Sequence, residues 1–488
     1  MKLNRVILLL LTAAWIVFFA VIRKDPFYGD AISSVSRVSL LIFDSNFSSL
    51  HYPVGFDPGH PILIPIIHAL FWKMFGCSLA ISHLINLTFS IGTLFVVYNW
   101  LKVEGGDSPS LIGVCLLSIT PLFLAQSAML NTHLPLTFLF TLAAYHLNGL
   151  LGKTEGDKRN WFYFILASSL MMLVHLQSVF YLFSLCLWFI LRRSSINKNN
   201  IGLAFRLFVP AAIIFALWVI YHYSLSGWAL SSPDYAAHRG SPGLKRVLVN
   251  LVLADWRIVD YGQVAFFVVP IILLFKGKFK IKSDSIFTLF LLSYLLNAVL
   301  IATTTTTGPA HRYFLPTLPF LVMACSLELG KLSKTWTVLV VAVLVSGHFW
   351  FYPGKIIGDA TMQYRSTFKL LEEVRKTTGE EPVYSFAPLG NQSRSMYLKE
   401  GESDLKSLYE TEPSSVRYIL YGNVSGDFSS DLLTTLNENW HGKSFQHGRV
   451  WLNLYLNPQF ASKPEDWNLR EKTSAEKWME NLKKKMNR

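Results

Sequence analysis

Apolar runs of about 20 residues recur through the first 352 residues and constrain the fold more than any other feature of the chain. A helix needs about 20 apolar residues to cross the hydrocarbon core of a bilayer. A shorter run, 61–76, carries Lys73 and lies between Pro61 and Gly76. Runs of roughly spanning length occur at 5–22, 79–101, 109–126, 131–151, 160–175, 177–192, 201–224, 263–276, 285–303, 312–330 and 335–352. This part of the chain therefore predicts a polytopic α-helical membrane protein.

The composition excludes two common classes. Hydrophobic residues make up 52% of the chain and charged residues only 15%, although the net charge is +13. Ordinary soluble domains carry about 25% charged residues. Residues 1–352 hold 25 Lys or Arg against 13 Asp or Glu, whereas residues 353–488 hold 19 against 18. The excess positive charge lies between the apolar runs and not on one soluble face, which argues against a nucleic-acid-binding protein and a soluble enzyme.

The positions of Lys and Arg indicate the topology. If the run 61–76 stays on the outer side as a re-entrant or short outer helix, the inner segments carry 15 Lys or Arg. The short outer turns at 127–130, around 176 and at 304–311 then carry none. This agrees with the positive-inside rule, and a full crossing by 61–76 would invert it. We expect about eleven spans with the N-terminus inside, in an integral protein of a bacterial plasma (inner) membrane.

Two domains follow from this topology. Residues 1–352 form a transmembrane domain with two long outer loops, 23–78 and 225–262. Residues 353–488 form an extracytoplasmic α/β domain with a basic C-terminal tail. Its pattern predicts helices at 362–377 and near 429–439 and strands at 382–386, 417–421 and 450–456. The four cysteines all lie in or beside apolar runs, so the spacing predicts neither a disulfide framework nor a zinc site.

Most polar groups near the predicted membrane surface fall on the outer side. Ionisable residues at membrane depth are costly and usually mark a site or a paired structural role. A pump or carrier would more often place them near the midplane. Six stretches supply them, namely Asp30, Asp57 with His60, Asn131 with His133, His175 with Gln177, Asp234 to Arg239, and His311-Arg312-Tyr313. The pattern predicts a site at the outer membrane–water interface.

Each of these residues has a simpler structural interpretation. Asp30 could cap the helix that begins at Ala31. Asp57 and His60 could be turn residues, since Asp-Pro-Gly is a strong turn former. His133 could be the polar end of a helix, and Arg312 could extend its charge to the interface.

Four sequence elements resemble the GT-C glycosyltransferases, in the branch of the polyprenyl-phosphate-mannose protein mannosyltransferases and the lipid A aminoarabinose transferase. An acid, Asp30, follows the first span, and the outer loop ends in a His-Pro element, Asp57-Pro58-Gly59-His60-Pro61. The segment from Pro121 to His133 is similar to the exit of the family's third span. The segment from His311 to Pro319 is similar to its late Arg-Tyr-x-x-Pro span. The resemblance implies a GT-C-like fold over residues 1–352.

The chain departs from the family pattern at three positions. Ala31 stands where the family often has a second acid, Ile62 where a second proline is usual, and His133 where Asp is common. Without paired acids, a carboxylate-bound divalent metal is not supported. A metal held by Asp57, His60 or His133 remains open, and we assign no cofactor.

The resemblance also implies a reaction and its partners. A sugar carried on a polyprenyl phosphate is transferred with inversion at the outer face to a hydroxyl of a protein, glycolipid or polysaccharide. Asp30 is the candidate base, with Asp57 and His60 orienting the loop or the acceptor. Arg312 is the first candidate for the donor phosphate and Arg239 the second, because Arg suits bidentate phosphate contact. We place His311, Tyr313 and His133 beside the substrate.

Two other classes stay open at the level of sequence. A transporter or flippase of lipid-linked saccharides would share the polar outer face and the apolar grooves. A non-catalytic membrane assembly subunit would bind an exported partner through its tail. In the subunit, Asp30, His60 and Arg312 would not converge in space.

Overall fold

The structure is a computed structural model that describes most of the chain. The described residues are 2–52, 57–152, 158–193, 198–230, 233, 242–267, 271, 285–306, 308–352, 358–386, 389–390, 393–399, 405–409, 411–424, 428–478 and 481.

The first 352 residues form a bundle of α-helices that follow the apolar runs. In chain order these are α1 (Lys2–Ile22), α2 (Arg37–Asp44), α3 (Leu63–Phe75), α4 (Leu79–Gly105), α5 (Asp107–Ile119), α6 (Pro121–Ala128), α7 (His133–Leu151), α8 (Lys158–Met172), α9 (Ser178–Arg193), α10 (Lys198–Ser226), α11 (Leu244–Val259), α12 (Ile286–Thr304), α13 (Leu318–Leu329) and α14 (Lys334–Gly347). A π-helical turn, Ile32–Ser36, precedes α2, and a 3-10 helix, His311–Thr317, leads into α13.

Five described helices are long and apolar enough to cross a membrane: α1, α4, α7, α10 and α12. Helices α5 and α6 add a sixth if they form one span, bent by 61°. The bend lies where Pro121 begins α6, since proline removes a backbone donor and clashes with the preceding turn. The chain is thus a polytopic helical membrane protein. Eleven spans stay a prediction, because α8, α9 and α14 have only 15, 16 and 14 residues and most of 263–276 lies outside the described residues.

The run that decided the predicted topology is the short helix α3. Its 13 residues rise about 20 Å, less than the roughly 30 Å of a hydrocarbon core. The helix ends at Gly76, whose φ of 94° suits glycine. Its inner face packs on α2 through a small core of Val38, Ile42 and Ala69. Helix α3 is therefore too short to cross alone, as the re-entrant or outer interpretation requires.

The last part of the chain forms a five-stranded mixed sheet with helices. The strands are β1 (Val383–Ser385), β2 (Leu405–Ser407), β3 (Tyr418–Gly422), β4 (His441–His447) and β5 (Val450–Leu456), and the helices are α15 (Ser366–Thr378), α16 (Ser393–Tyr397) and α17 (Ser430–Asn439). The order in the sheet is β2-β1-β3-β5-β4. Strands β2, β1 and β3 are parallel, and β5 is antiparallel to both β3 and β4.

The sheet domain is fastened to the segment between α1 and α3 by polar and aromatic contacts. Arg365 pairs with Asp25, donating from Nη2 to Oδ1 at 3.0 Å. Arg394 donates to both oxygens of Asp44, at 2.6 and 2.9 Å. Tyr28 stacks on Tyr364 with ring centroids 4.8 Å apart. The largest hydrophobic core runs through both parts, with Phe27 and Leu370 among its members, so the sheet and this segment form one packed unit.

Candidate functional site

The Asp30 carboxylate lies in the turn that follows α1 and pairs with Arg312. Gly29, with a φ of 59°, makes the turn, and Asp30 begins a short helical segment. The backbone carbonyl of Asp30 accepts a hydrogen bond from the hydroxyl of Ser34 at 2.6 Å. Nη2 of Arg312 donates to the carboxylate. The Asp30 side chain is nevertheless 69% exposed, against 19% for Arg312. The carboxylate therefore combines an arginine partner with an open face.

Arg312 lies between two carboxylates. Besides Asp30, its Nη1 is 3.4 Å from Oδ2 of Asp359, and its backbone N–H donates to the same oxygen at 3.3 Å. The guanidinium carbon lies 5.1 Å from the centre of the Tyr313 ring. Residues 311–317 form the 3-10 helix before α13, which turns the Arg312 side chain and backbone toward one acceptor. Arg312 is thus held from behind by Asp359 while its other nitrogen reaches the exposed Asp30.

Asp359 belongs to the segment that follows the last helix of the bundle. It is buried, and Nε2 of Gln126 donates to its backbone carbonyl at 2.7 Å. Burial raises the pKa of Asp359, but the charges of Arg312 and His311 and the Arg312 N–H outweigh it. The pKa of Asp359 therefore lies below its ordinary value, and at neutral pH the residue is a negative charge next to Arg312.

His311 faces away from the exposed side of the site. Its ring is fully buried, with Nε2 2.9 Å from Oδ2 of Asp260 and Nδ1 3.9 Å from Asp359. Tyr352 donates to the same Asp260 oxygen at 2.5 Å, and the N–H of Tyr261 donates to the other at 2.8 Å. Burial raises the pKa of Asp260, but the bonds from His311 and Tyr352 outweigh it and lower the pKa overall. The result is a row of residues in contact, Asp260, His311, Asp359, Arg312 and Asp30.

A row of rings in contact joins the His-Pro element to Tyr313. The centroid of His60 lies 3.9 Å from that of His175, which lies 4.8 Å from that of His133. The His133 ring is in turn 5.5 Å from Tyr313. These residues come from the segment before α3, the start of α7, the turn before α9 and the 3-10 helix. The rings thus bring together four of the six stretches that the sequence analysis singled out, and Arg312 next to Tyr313 adds a fifth, Asp30.

Buried hydrogen bonds fix the backbone at the end of this row. The carbonyl of Tyr313 accepts from the hydroxyl of Tyr181 at 2.9 Å and from Nδ2 of Asn297 at 2.7 Å. Asn297 also accepts from Gln177 at 3.2 Å. Buried polar groups require such partners, and here α9 and α12 supply them. The position of Arg312 is thus set by the bundle and not by its own side chain alone.

Asp57 lies apart from this row and forms a turn. Its Oδ1 accepts from the N–H of Gly59 at 2.8 Å, the turn that Asp-Pro-Gly predicts, and its Oδ2 is 2.8 Å from Nε2 of His222. Gly59 has a φ of 74° and lies close to Trp228 and Leu230. Asp57 thus joins the first outer loop to the end of α10, and His60 extends from this turn to the rings.

Two predictions remain, namely a phosphate contact by Arg239 and a metal held by Asp57, His60 or His133. Arg239, with Asp234, Tyr235 and His238, lies outside the described residues. Within the described part of the chain, no group of three or more His, Cys, Asp or Glu could hold a metal ion. Asp57 is paired with His222, and the rings of His60 and His133 contact other rings.

Sequence reasoning missed Asp359 and Asp260, the two buried acids of the site. Both lie close to predicted outer ends of apolar runs, seven residues after 335–352 and within the loop 225–262. That position was the available signal, since an acid near the membrane surface needs a partner. Gln126 and Asn131 were part of a noted motif, but their bond to each other and the link to Asp359 were not predicted.

Comparisons with known proteins agree with this fold. Residues 59–221, a third of the chain, match the sequence model of the dolichyl-phosphate-mannose-protein mannosyltransferase family. The whole chain is similar to the crystal structure of ArnT from Cupriavidus metallidurans bound to undecaprenyl phosphate, with a TM-score of 0.55 and 11% identity over 94% of this chain and 99% of that one. The apo state of the same protein gives 0.54 and 11% over 95% and 100%. No curated protein sequence shows a significant match.

These findings confirm the resemblance stated from the sequence. The structural likeness, at 11% identity, concerns the fold, and it extends over nearly the full length of both chains. The family match covers the His-Pro element from Gly59 and the third-span exit up to His133. The chain thus resembles the GT-C superfamily in its branch of protein mannosyltransferases and the aminoarabinose transferase.

Proposed function

We propose that this integral membrane protein of GT-C type is a glycosyltransferase that moves a sugar from a polyprenyl phosphate to an acceptor hydroxyl at the outer face of the membrane. The donor class follows from the mannosyltransferase family match and from the fold shared with a protein crystallised with undecaprenyl phosphate. Transfer inverts the configuration at the sugar. The apolar surfaces of the bundle would hold the polyprenyl chain.

The contact between Asp30 and Arg312 carries the proposal. It places an exposed carboxylate next to a cation that is anchored from behind by Asp359. An inverting transfer needs those two groups: a base for the acceptor and a positive charge for the leaving phosphate. A non-catalytic assembly subunit would not require residues 282 positions apart to meet in this way.

The proposed step balances as a single displacement. Asp30 accepts the proton of the acceptor hydroxyl while the acceptor oxygen forms a bond to the anomeric carbon of the sugar. The bond from that carbon to the phosphate oxygen breaks, and its electron pair stays on the polyprenyl phosphate. A phosphate monoester has a second pKa of about 6, so it leaves without a general acid. General-base help of this kind is worth about 10²–10⁴-fold in rate.

Arg312 would act on both the leaving phosphate and the base of this step. In the absence of donor its Nη2 binds Asp30, whereas its Nη1 and backbone N–H stay with Asp359. A donor phosphate would take the place of the Asp30 carboxylate at Nη2, which frees that carboxylate for the acceptor. Bidentate contact with phosphate oxygens suits a guanidinium. Arg239 is the second candidate for a phosphate contact.

The row of rings would line the opposite side of the substrate. His60 and His133 extend from the His-Pro element toward Tyr313, whose ring lies against Arg312. We propose that these rings orient the acceptor or the sugar, and that His311 acts from behind by holding Asp260 and Asp359 together. Asp57 would keep the turn that carries His60 in place.

The experiment is mass spectrometry of glycans and glycolipids in a deletion strain. One species should lose the mass of a single sugar, and plasmid-borne wild-type protein should restore it. Complementation with Asp30→Asn should fail although the protein is present in the membrane at wild-type level. An unchanged glycan and glycolipid profile, or full rescue by Asp30→Asn, would contradict the proposal.

A further inference from the structure

A cavity lies between the end of α1, the start of α4 and helix α15 of the sheet domain. Its volume is about 990 Å³, at the upper end of the roughly 300–1,000 Å³ of ligand sites. Among the described residues that line it, none belongs to the row from Asp260 to Asp30 or to the row of rings. The cavity therefore needs an explanation other than the transfer site.

The rim of this cavity is positively charged. Six Lys or Arg side chains line it, against three carboxylates. Two of those carboxylates are already neutralised, since Asp25 pairs with Arg365 and Glu381 with Arg417. Arg23, Lys24 and Lys369 are exposed, and the ion pairs of the described residues do not include them. The rim thus offers cations without carboxylate partners.

Part of the cavity wall is apolar and adjoins an exposed apolar face of α1. Val21, Leu79 and Leu371 line it. Val21 is 53% exposed and continues the outward face of α1, on which Val17 is 62% exposed. An apolar wall next to an exposed apolar helix face, with cations on the rim, suits a ligand with an anionic head and a hydrocarbon chain.

The location of these cations does not follow from membrane topology. Arg23 and Lys24 directly follow α1, on the side where the short predicted turns carry no Lys or Arg. The positive-inside rule would place such residues at the other end of the helix. A cation pair on the unfavoured side, next to Lys369 of the sheet domain, instead indicates an anionic partner.

We propose that this cavity binds an anionic phospholipid from the surrounding bilayer. Arg23, Lys24 and Lys369 contact its phosphate, and Val21 with Leu371 contacts the upper part of an acyl chain. The lipid then bridges the membrane bundle and the sheet domain beside the ion pair of Asp25 with Arg365. This inference needs α1 and α4 to be membrane helices, and it does not depend on the transfer reaction.

The test is native mass spectrometry of the full chain after reconstitution with phosphatidylglycerol or phosphatidylcholine. The variant R23Q/K24Q/K369Q removes three rim cations. The control K376Q/K463Q/K477Q removes three exposed cations elsewhere in the sheet domain, one of them on the same helix α15. Each cation near an anionic headgroup contributes about fivefold, so the rim variant should retain phosphatidylglycerol at least about tenfold less than wild type and control.

Several outcomes would overturn this proposal. Equal retention of phosphatidylglycerol by the rim variant and the wild type would mean that the cations only extend to the interface. Equal retention of phosphatidylcholine by the wild type would exclude recognition of charge. Thermal protection by inorganic phosphate alone, as large as that by phosphatidylglycerol, would assign the rim to a free anion. If the triple variant does not fold, the single pair Lys369→Gln and Lys376→Gln decides by the same readout.

Discussion

At the scale of single residues, the pairing of Asp30 with Arg312 determines what each can do. Asp359 keeps Arg312 in position when Asp30 leaves, since it holds a second nitrogen and the backbone N–H. The base, Asp30, and the phosphate ligand, Arg312, are therefore coupled. Binding of the donor phosphate to Arg312 would release Asp30 from its ion pair, so that Asp30 can accept the proton of the acceptor hydroxyl.

Replacing Asp30 by Asn tests the base. Because the side chain is 69% exposed and Arg312 keeps Asp359, the loss of stability should stay within about 0.5 kcal/mol. Transfer to an isolated acceptor should fall at least tenfold, since a base is worth about 10²–10⁴-fold. Transfer assays with purified protein and thermal unfolding measure the two effects.

A matched control comes from the same outer loop. Asp44 is also an exposed carboxylate paired with an arginine, Arg394, and it is the last residue of α2. Asp44→Asn should leave transfer unchanged. Near-normal transfer by Asp30→Asn, or an equal loss in both variants, would remove Asp30 as base.

Arg312→Lys separates the charge of Arg312 from its geometry. A lysine keeps the positive charge but cannot reach Asp359 and a phosphate together as a planar fork does. Losing one charged hydrogen bond costs about 1.5–3 kcal/mol, so the apparent KM for the lipid donor should rise at least tenfold. The variant is preferable to Arg312→Ala, which would leave the buried Asp359 unpaired. An unchanged donor KM would mean that Arg312 only extends to the interface.

The lowered pKa of Asp359 makes stability depend on acid. A group whose folded pKa lies below its unfolded value contributes stability above the unfolded value, about 3.9, and loses it as the pH falls through the folded pKa. Thermal unfolding in detergent should therefore be steady from pH 7 to about pH 5 and then weaken below about pH 4. Asp359→Asn should be less stable at pH 7 and should show a smaller loss below pH 4. An identical acid dependence in both proteins would contradict this assignment.

Residue-level prediction succeeded where local sequence marks a group and failed where only packing does. Asp30 and Arg312 were singled out because each ionisable residue follows or opens an apolar run. Asp359 carries no local signal of its partner, since it reaches Arg312 only after the chain returns from α14 toward the bundle. The contact of His311 with Asp260 likewise joins two segments that lie 51 residues apart in the chain.

At the scale of elements, the close contact of the Asp260 turn with α14 supports the site. A Cβ at Gly347 would overlap the carbonyl oxygen of Tyr261, and one at Gly262, whose φ is 80°, would overlap that of Val343. Gly347→Ala should therefore push the turn away and strain the bonds of Asp260 to His311. Overpacking of this kind costs about 1–3 kcal/mol. Thermal unfolding should show the loss, and transfer should fall with it.

Gly202 provides the control for this substitution. It lies on the exposed side of α10, where an added Cβ meets no atom within 4 Å. Gly202→Ala should be neutral or slightly stabilising, because Ala favours helix over Gly by roughly 0.5–1 kcal/mol. If Gly347→Ala behaves like Gly202→Ala, the turn has room to move and does not depend on this contact.

The elements themselves were predictable to different degrees. Helices α4, α7 and α10 and strands β3 and β5 follow their runs closely, because long apolar patterns identify elements well. Strand β4 (His441–His447) was missed because apolar and polar residues do not alternate along it, and only Gly442 and Phe445 are buried. Strand β2 has three residues, too few for a period. Both depend on pairing with neighbours that sequence does not reveal.

At the scale of the whole molecule, the membrane face of the site rests on the charge argument. The sheet domain and Asp30 must lie on the same side, since Arg365 and Arg394 of the sheet domain pair with Asp25 and Asp44 on either side of Asp30 in the chain. A label on the sheet domain therefore also reports the face on which Asp30 lies. The sheet domain follows the C-terminal end of α14, so the N-terminal end of this helix should lie on the opposite, inner side of the membrane. A label at that end provides the reference for the inner side.

Single cysteines in a chain whose four native cysteines are changed to Ala test this topology. Lys376→Cys lies on an exposed face of α15, and Lys334→Cys is exposed at the start of α14. In intact cells, a membrane-impermeant maleimide should label Lys376→Cys and should reach Lys334→Cys only after permeabilisation. The reverse pattern would mean that the whole chain is inverted, with the N-terminus outside, because the pairs of Arg365 with Asp25 and Arg394 with Asp44 keep Asp30 on the side of the sheet domain. Asp30 would then face the inner side, and a donor sugar would have to be used on the cytoplasmic face.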